Sequence, residues 1–145
     1  MGIAQTTTTS FRVELFEAVH NFSTDTFKIA LYTGAADIGP TTTVYTTSGE
    51  ASGTGYTAGG NTLTVSTQPT SGNDTYGIPT AYVGFANTSW NSADFTVRGA
   101  LIYNHSKGDK SVAVLDFGAD KTVSGTTFTI QFPTADANSA IVRIS

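Results

Sequence analysis

Two periods of hydrophobicity meet between residues 10 and 32. Phe11, Leu15, Ala18, Val19 and Phe22 recur at i, i+4, i+7, i+8 and i+11, which marks one face of a helix with about 3.6 residues per turn. After Ser23-Thr24-Asp25 the period falls to two: Phe27, Ile29 and Leu31 alternate with Lys28, Ala30 and Tyr32. That is the pattern of a half-buried strand. Ser10 stands where an N-cap belongs, and His20 is placed to meet the carbonyls of the last helical turn. Arg12, Glu14 and Glu17 take the polar face, while Phe16 lies off the apolar stripe and either widens it or meets a partner. This is the one helix the pattern predicts.

The rest of the chain reads as short strands and polar turns. Residues 33–40 form a loop by their Gly and Pro content, and residues 41–47, with Val44 and Tyr45, form an edge strand. Gly53 and Gly55 open a G-x-G, but Ala58 breaks the dinucleotide motif and no strand–turn–helix context surrounds it. The stretch is read as a long turn that folds Tyr56 onto a sheet. Residues 61–67 alternate, with Leu63 and Val65 inward. Residues 68–79 are a turn-rich loop, 82–87 a strand ending near Trp90, and 91–94 a turn. Residues 95–103 then place Phe95, Val97, Leu101 and Tyr103 on one face, with Arg98, Ala100, Ile102 and Asn104 on the other. A hairpin loop spans 105–110. Residues 111–117 are apolar on both faces, as in a central strand. A turn at 118–122, an alternating run at 126–132 stopped by Pro133, and a last strand at 140–144 complete the chain.

This pattern predicts an all-β fold: an antiparallel β-sandwich, jelly-roll-like, with one short N-terminal helix. Residues 10–145 make a single β-sandwich domain. Residues 1–9, led by the stiff β-branched run Thr6-Thr7-Thr8-Thr9, make an extended N-terminal arm that a neighbouring subunit is expected to hold.

Composition narrows the function. A chain of 145 residues buries roughly 68–70% of its unfolded surface and needs no staple. With no Cys, disulfide frameworks and thiolate metal sites are excluded. Charged residues make up 12% of the chain and the net charge is −4, so no basic patch is expected for nucleic acid. No apolar run reaches the ~18 residues of a membrane span. Residues 1–5 show neither a basic n-region nor an apolar h-region, so no secretory signal is expected. Thr, Ser, Asn and Gly carry the surface instead of Lys and Glu. Such a surface costs less to desolvate in a broad contact than a charged one.

No catalytic, cofactor-binding or metal-binding residue is expected. Asp25, Asp94, Asp109, Asp116 and Asp120 fall at predicted strand ends and turns, where Asp commonly bonds local backbone. Glycoside hydrolysis needs two acids about 5–9.5 Å apart in a cleft, which spacing alone does not supply. His20 has no second His at i+3 or i+4. No Gly-x-Ser-x-Gly elbow occurs, and Asn73-Asp74 with Asp109 do not make a calcium loop. Asn21, Asn73, Asn87 and Asn104 open formal glycosylation sequons, as expected by chance in so polar a chain. Tyr45, Tyr56, Tyr76, Tyr82 and Trp90 suit either stacking on sugars or packing between sheets. Trp90 and Tyr103 are assigned to the core, with Tyr45 and Tyr76 left open.

Several stretches carry a family resemblance. They are Val19-His20-Asn21-Phe22 with Asp25-Thr26-Phe27-Lys28-Ile29-Ala30-Leu31-Tyr32, then Gly53-Thr54-Gly55-Tyr56-Thr57-Ala58-Gly59-Gly60, Arg98-Gly99-Ala100-Leu101-Ile102-Tyr103-Asn104, and Ala113-Val114-Leu115-Asp116-Phe117-Gly118. In these the chain resembles a family of small virion structural proteins of tailed bacteriophages. The resemblance implies no enzyme and no cofactor. It implies a capsid decoration or cement protein on the capsid surface, forming a homotrimer and bridging the major capsid protein, without nucleic acid or membrane. The alternative is a tail- or fibre-associated module that binds host surface glycans.

Overall fold

A computed structural model describes residues 2–145. Met1, which belongs to the expected arm and to the stretch read as lacking a secretory signal, lies outside the described residues. Half of the chain is strand and 8% helical, so the all-β class holds. In chain order the elements are β1 (Thr6–Thr7), α1 (Thr9–Phe16), β2 (Phe27–Tyr32), β3 (Asn61–Thr62) and β4 (Val65–Asn73). They continue with β5 (Pro79–Phe85), β6 (Thr88–Asn104), β7 (Lys110–Ile130) and β8 (Val142–Ile144). The strands form one sheet in the order β1-β7-β6-β2-β3 and a second in the order β4-β5-β8. All the strand pairings within them are antiparallel.

The main core lies on one face of the five-stranded sheet, where Ile29, Leu31, Val97, Ala100 and Ile102 meet Val83, Phe85 and Val142 of the smaller sheet and Phe11 of α1. A second cluster covers the opposite face: Ala30, Tyr32, Leu101, Tyr103 and Val114 pack under Ala36, Ile38, Ile3 and Tyr45. β2 is therefore buried on both faces, not half-buried. The loop of residues 33–50 contributes apolar anchors of its own, which strand alternation does not register.

The helix is shorter than its periodicity predicts. Thr8, not Ser10, is the N-cap, accepting from the Phe11 N–H at 3.3 Å. Helical geometry ends at Phe16, and Ala18 turns left-handed at φ 58°. The Ala18 N–H donates to the Leu15 carbonyl (3.2 Å) and the Val19 N–H to the Glu14 carbonyl (3.0 Å). This is the Schellman closure, with Ala where Gly is usual. Ala18 and Val19 thus leave the helix, and Phe22 reaches the core from the following turn, stacked on Phe27 at 4.4 Å.

Bulges account for most other departures. Residues 91–94 are not a turn; they are an irregularity inside β6, with Ser92 at φ 49°. A second register shift between Val97 and Gly99 reverses the facing of the residues beyond it. Phe95 and Val97 therefore share the main core with Ala100 and Ile102, while Leu101 and Tyr103 face the other cluster. Residues 118–122 are likewise absorbed into β7 as a bulge. Residues 61–67 are two strands, because the chain leaves β2 after Thr62 and joins β5 from Val65. The expected loop at 68–79 is mostly strand: β4 runs to Asn73 on the outside of its sheet, and Pro69 falls within an irregular, unpaired step between Thr67 and Thr70. Residues 41–47 make only a single bridge, Val44 to Lys110.

The arm lies on its own molecule. Thr6 and Thr7 pair with Val114 and Ala113, the Ala4 N–H reaches the Ile38 carbonyl at 3.0 Å, and the Ile38 N–H reaches the Gly2 carbonyl at 3.1 Å. Ile3 sits over Gly99, where a Cβ would come within 2.9 Å of its side chain.

Candidate interaction surface

Two polar networks are the strongest concentrations of chemistry in the molecule. The first surrounds His20, whose side chain is fully buried. The Asn104 Nδ2 donates to His20 Nδ1 (3.0 Å) and to Asp25 Oδ2 (2.8 Å), while Asn104 Oδ1 accepts from the Ser106 N–H. That arrangement leaves the imidazole proton on Nε2, where it donates to Glu14 Oε1 at 2.9 Å. Burial works to raise the Asp25 carboxyl. Its hydrogen bonds from Asn104 and the Asn21 N–H, with Lys107 and His20 nearby, outweigh that and hold it below the usual range. His20 therefore ties the helix to the end of β6, rather than meeting the helix carbonyls as expected. Both ring nitrogens of His20 are hydrogen-bonded inside the protein, while Glu14 Oε2 and Asp25 Oδ1 face Lys110 at 3.8 Å and Lys107 at 3.7 Å.

The second network centres on Glu50. Its carboxylate accepts from the Tyr45 hydroxyl (2.6 Å), the Tyr56 hydroxyl (2.6 Å) and the Gly59 N–H (2.7 Å). The Tyr56 oxygen also accepts from the Leu31 N–H, while Tyr32 donates to the Thr46 carbonyl and Tyr103 to the Gly59 carbonyl. Gly60, at φ 75°, lies so close to the Ile29 carbonyl that a Cβ would collide with it. The Gly-rich stretch is thus laid flat against β2 and pinned by tyrosines, which is a structural role. Sequence reasoning expected Tyr56 to lie on the sheet but did not foresee its anchor. The spacing of Glu50 from Tyr45 and Tyr56 carries no signal until the loop closes.

The remaining candidates stay apart. Asp116 accepts from the Gly118 N–H, Asp109 bonds His105, and Asp120 faces Arg98 at 3.6 Å. Asp94 is exposed on β6. Among the described residues no group of three or more His, Asp or Glu gathers as a metal site, and no helix is long and apolar enough to cross a membrane. Asn104 is fully buried, so its sequon cannot carry a glycan. Trp90 is buried, Tyr45 stacks on Tyr103 at 4.9 Å, and Tyr56 packs on Phe95 at 5.9 Å. Of the aromatics considered for sugar stacking, Tyr76 alone is largely exposed, at 87%.

Surface shape is the remaining candidate. Two adjoining cavities, about 380 and 440 Å³, share Gln5, Leu115, Pro133 and Ile141. Thr6 and Thr7 of β1 and Arg143 of β8 line the second of them. β1 ends one sheet and β8 ends the other, so two sheet edges open onto one cleft. The first cavity adds an apolar floor of Phe117, Phe128 and Ile130. A third hollow of about 130 Å³ lies between α1 and β8. No family model matches the chain, and no curated protein or solved structure matches it significantly. Nothing in the linear pattern foretold the cleft, because its two edges stand far apart in sequence.

Proposed function

We propose that this chain is a structural protein of tailed-bacteriophage virions. In this reading it is a cement or decoration protein on the capsid surface that self-associates as a homotrimer and bridges subunits of the major capsid protein. The observation that supports it is the cleft between β1 and β8. An extended segment of a neighbouring subunit laid there could add backbone hydrogen bonds to a free edge and bury alternate side chains on the apolar floor. The hydroxyl-rich, weakly charged exterior suits the same role, since a specific contact buries about 1,200 Å² or more in total. Jelly-roll winding of the sandwich belongs to this proposal too, with the eight strands divided five and three. The protein works through shape and adhesion, with no reaction to perform.

The deciding experiment adds the purified protein to particles assembled without it. Density on the head together with raised thermal stability of the shell is expected. Density confined to the tail, with retention on a glycan array, would replace this reading with the adhesin one, for which Tyr76 at the β4–β5 hairpin tip is the supporting residue. Turnover of a small-molecule substrate would end both.

A further inference from the structure

We propose that the chain binds a second copy of itself through a knob and a hole that it carries together, with the Phe16 ring of one copy seated in the hollow between α1 and β8 of the next. This names the contact behind the self-association proposed above, yet it can fail on its own.

Phe16 is the last residue of α1 and is 95% exposed. The closing hydrogen bonds of residues 17–19 hold it at a fixed helix end rather than on a loose loop. Val13, one turn earlier, is 52% exposed and broadens the same apolar projection. An isolated exposed apolar residue needs no explanation. A fixed aromatic with a neighbouring apolar side chain beside it, and a matching hollow on the same molecule, does.

The hollow is lined by Phe11, Leu15, Phe22, Val83, Val142 and Ile144, and its exposed lining is wholly apolar. Its volume is about 130 Å³, close to the about 150 Å³ of an apolar protein cavity known to admit benzene. It is therefore of phenyl-ring size. Phe16 does not fill the hollow of its own chain. Leu15 lines that hollow, and consecutive helical residues point about 100° apart.

Charge supports the same pairing. Glu17 adjoins the knob and has no ion-pair partner among the described residues. Arg143 stands on the rim of the hollow; among the described residues it faces no carboxylate and bonds only the Ala140 carbonyl, at 2.8 Å. A copy that seats Phe16 in the hollow brings a free carboxylate toward an uncommitted guanidinium, the arrangement in which Arg binds most strongly. Knob and hole are different groups on the same chain, so the contact pairs unlike surfaces head-to-tail, and a ring forms where the rotation between copies closes.

Sedimentation velocity on the full chain tests this with two single variants. Phe16→Ser removes the knob, and Ala81→Trp plugs the hole from an exposed position in its lining. The wild-type chain is expected to associate. Each variant is expected to do so about 10- to 100-fold more weakly, the loss expected from leaving one aromatic side chain exposed, with unchanged circular dichroism and unfolding temperature. Mixing the two variants should restore a complex of two, through the one knob and one hole still intact. Glu17→Arg should weaken association, and Glu17→Arg with Arg143→Glu should recover it. A wild-type chain that stays monomeric, or variants that associate as it does, would overturn the inference. A monomeric chain that still binds shells would leave the capsid reading standing. An associating chain that ignores shells would remove the capsid reading and leave this contact.

Discussion

At the scale of single residues, side chains that look ordinary in the sequence hold the fold's tightest points. Ala18 occupies a left-handed position at φ 58°, which costs an L-residue other than Gly roughly 1–2 kcal/mol. Ala18→Gly is therefore expected to stabilise the protein by about 1 kcal/mol in urea unfolding, although Gly is the poorer helix former. Glu50 acts in the opposite sense. Truncating it strands two tyrosine hydroxyls and the Gly59 N–H, so Glu50→Ala should cost about 2–4 kcal/mol in the same measurement. The tyrosines around it also set a pH limit. Burial, with the Glu50 carboxylate adding to it, pushes the hydroxyls of Tyr32, Tyr45 and Tyr56 well above their ordinary value of 10.0. Tyr103, buried and near Asp109 and Glu50, is pushed up to about 12. These groups keep their protons longer folded than unfolded. Their stabilising contribution is present below pH 10 and is lost as pH rises through the folded values. Phenolate absorbance from these four should therefore rise together with unfolding above pH 10. Their full ionisation in a chain whose circular dichroism is unchanged would contradict the network.

At the scale of elements, legibility tracks regularity. β2 is readable as a strand because Phe27, Ile29 and Leu31 recur with period two, although the cover over Ala30 and Tyr32 is not, and β7 is readable in its first half, where residues 111–117 are apolar on both faces. β6 is not. The shift between Val97 and Gly99 exchanges inward and outward positions, and a one-residue change of register flips every later side chain. Nothing in Val97-Arg98-Gly99-Ala100 announces that shift beyond a glycine. The helix is shorter than its pattern for a related reason: Ala18 and Val19 continue an apolar period by coincidence while the backbone has already turned. The arm shows how contacts distant in sequence decide an element's role. With Ile3 over Gly99 and Thr6–Thr7 paired to β7, removing residues 1–7 should destabilise the isolated chain by about 2–4 kcal/mol in urea unfolding. An arm that served only a neighbouring subunit would leave that stability unchanged.

At the scale of the whole molecule, burial is uneven. β2 has almost every residue buried, whereas β4 is mostly exposed along its length. Amide hydrogen exchange should therefore be slowest in residues 27–32 and fastest, among the strands, in residues 65–73. Uniform protection across the two sheets would rule out the layering described here. The site obeys the same division. Its polar networks are partly visible as residues, but the cleft and the hollow belong to the packing of elements remote in sequence. The proline in β4 has a consequence for growth. β4 is the longest strand to lie on a sheet boundary, and Pro69 with its irregular neighbours leaves that boundary without a regular row of donors. The opposite flank, at β8, stays free. A sheet interrupted along one border and open along the other ends a row of strands on the interrupted side, so this layer takes a single added strand instead of templating a fibre.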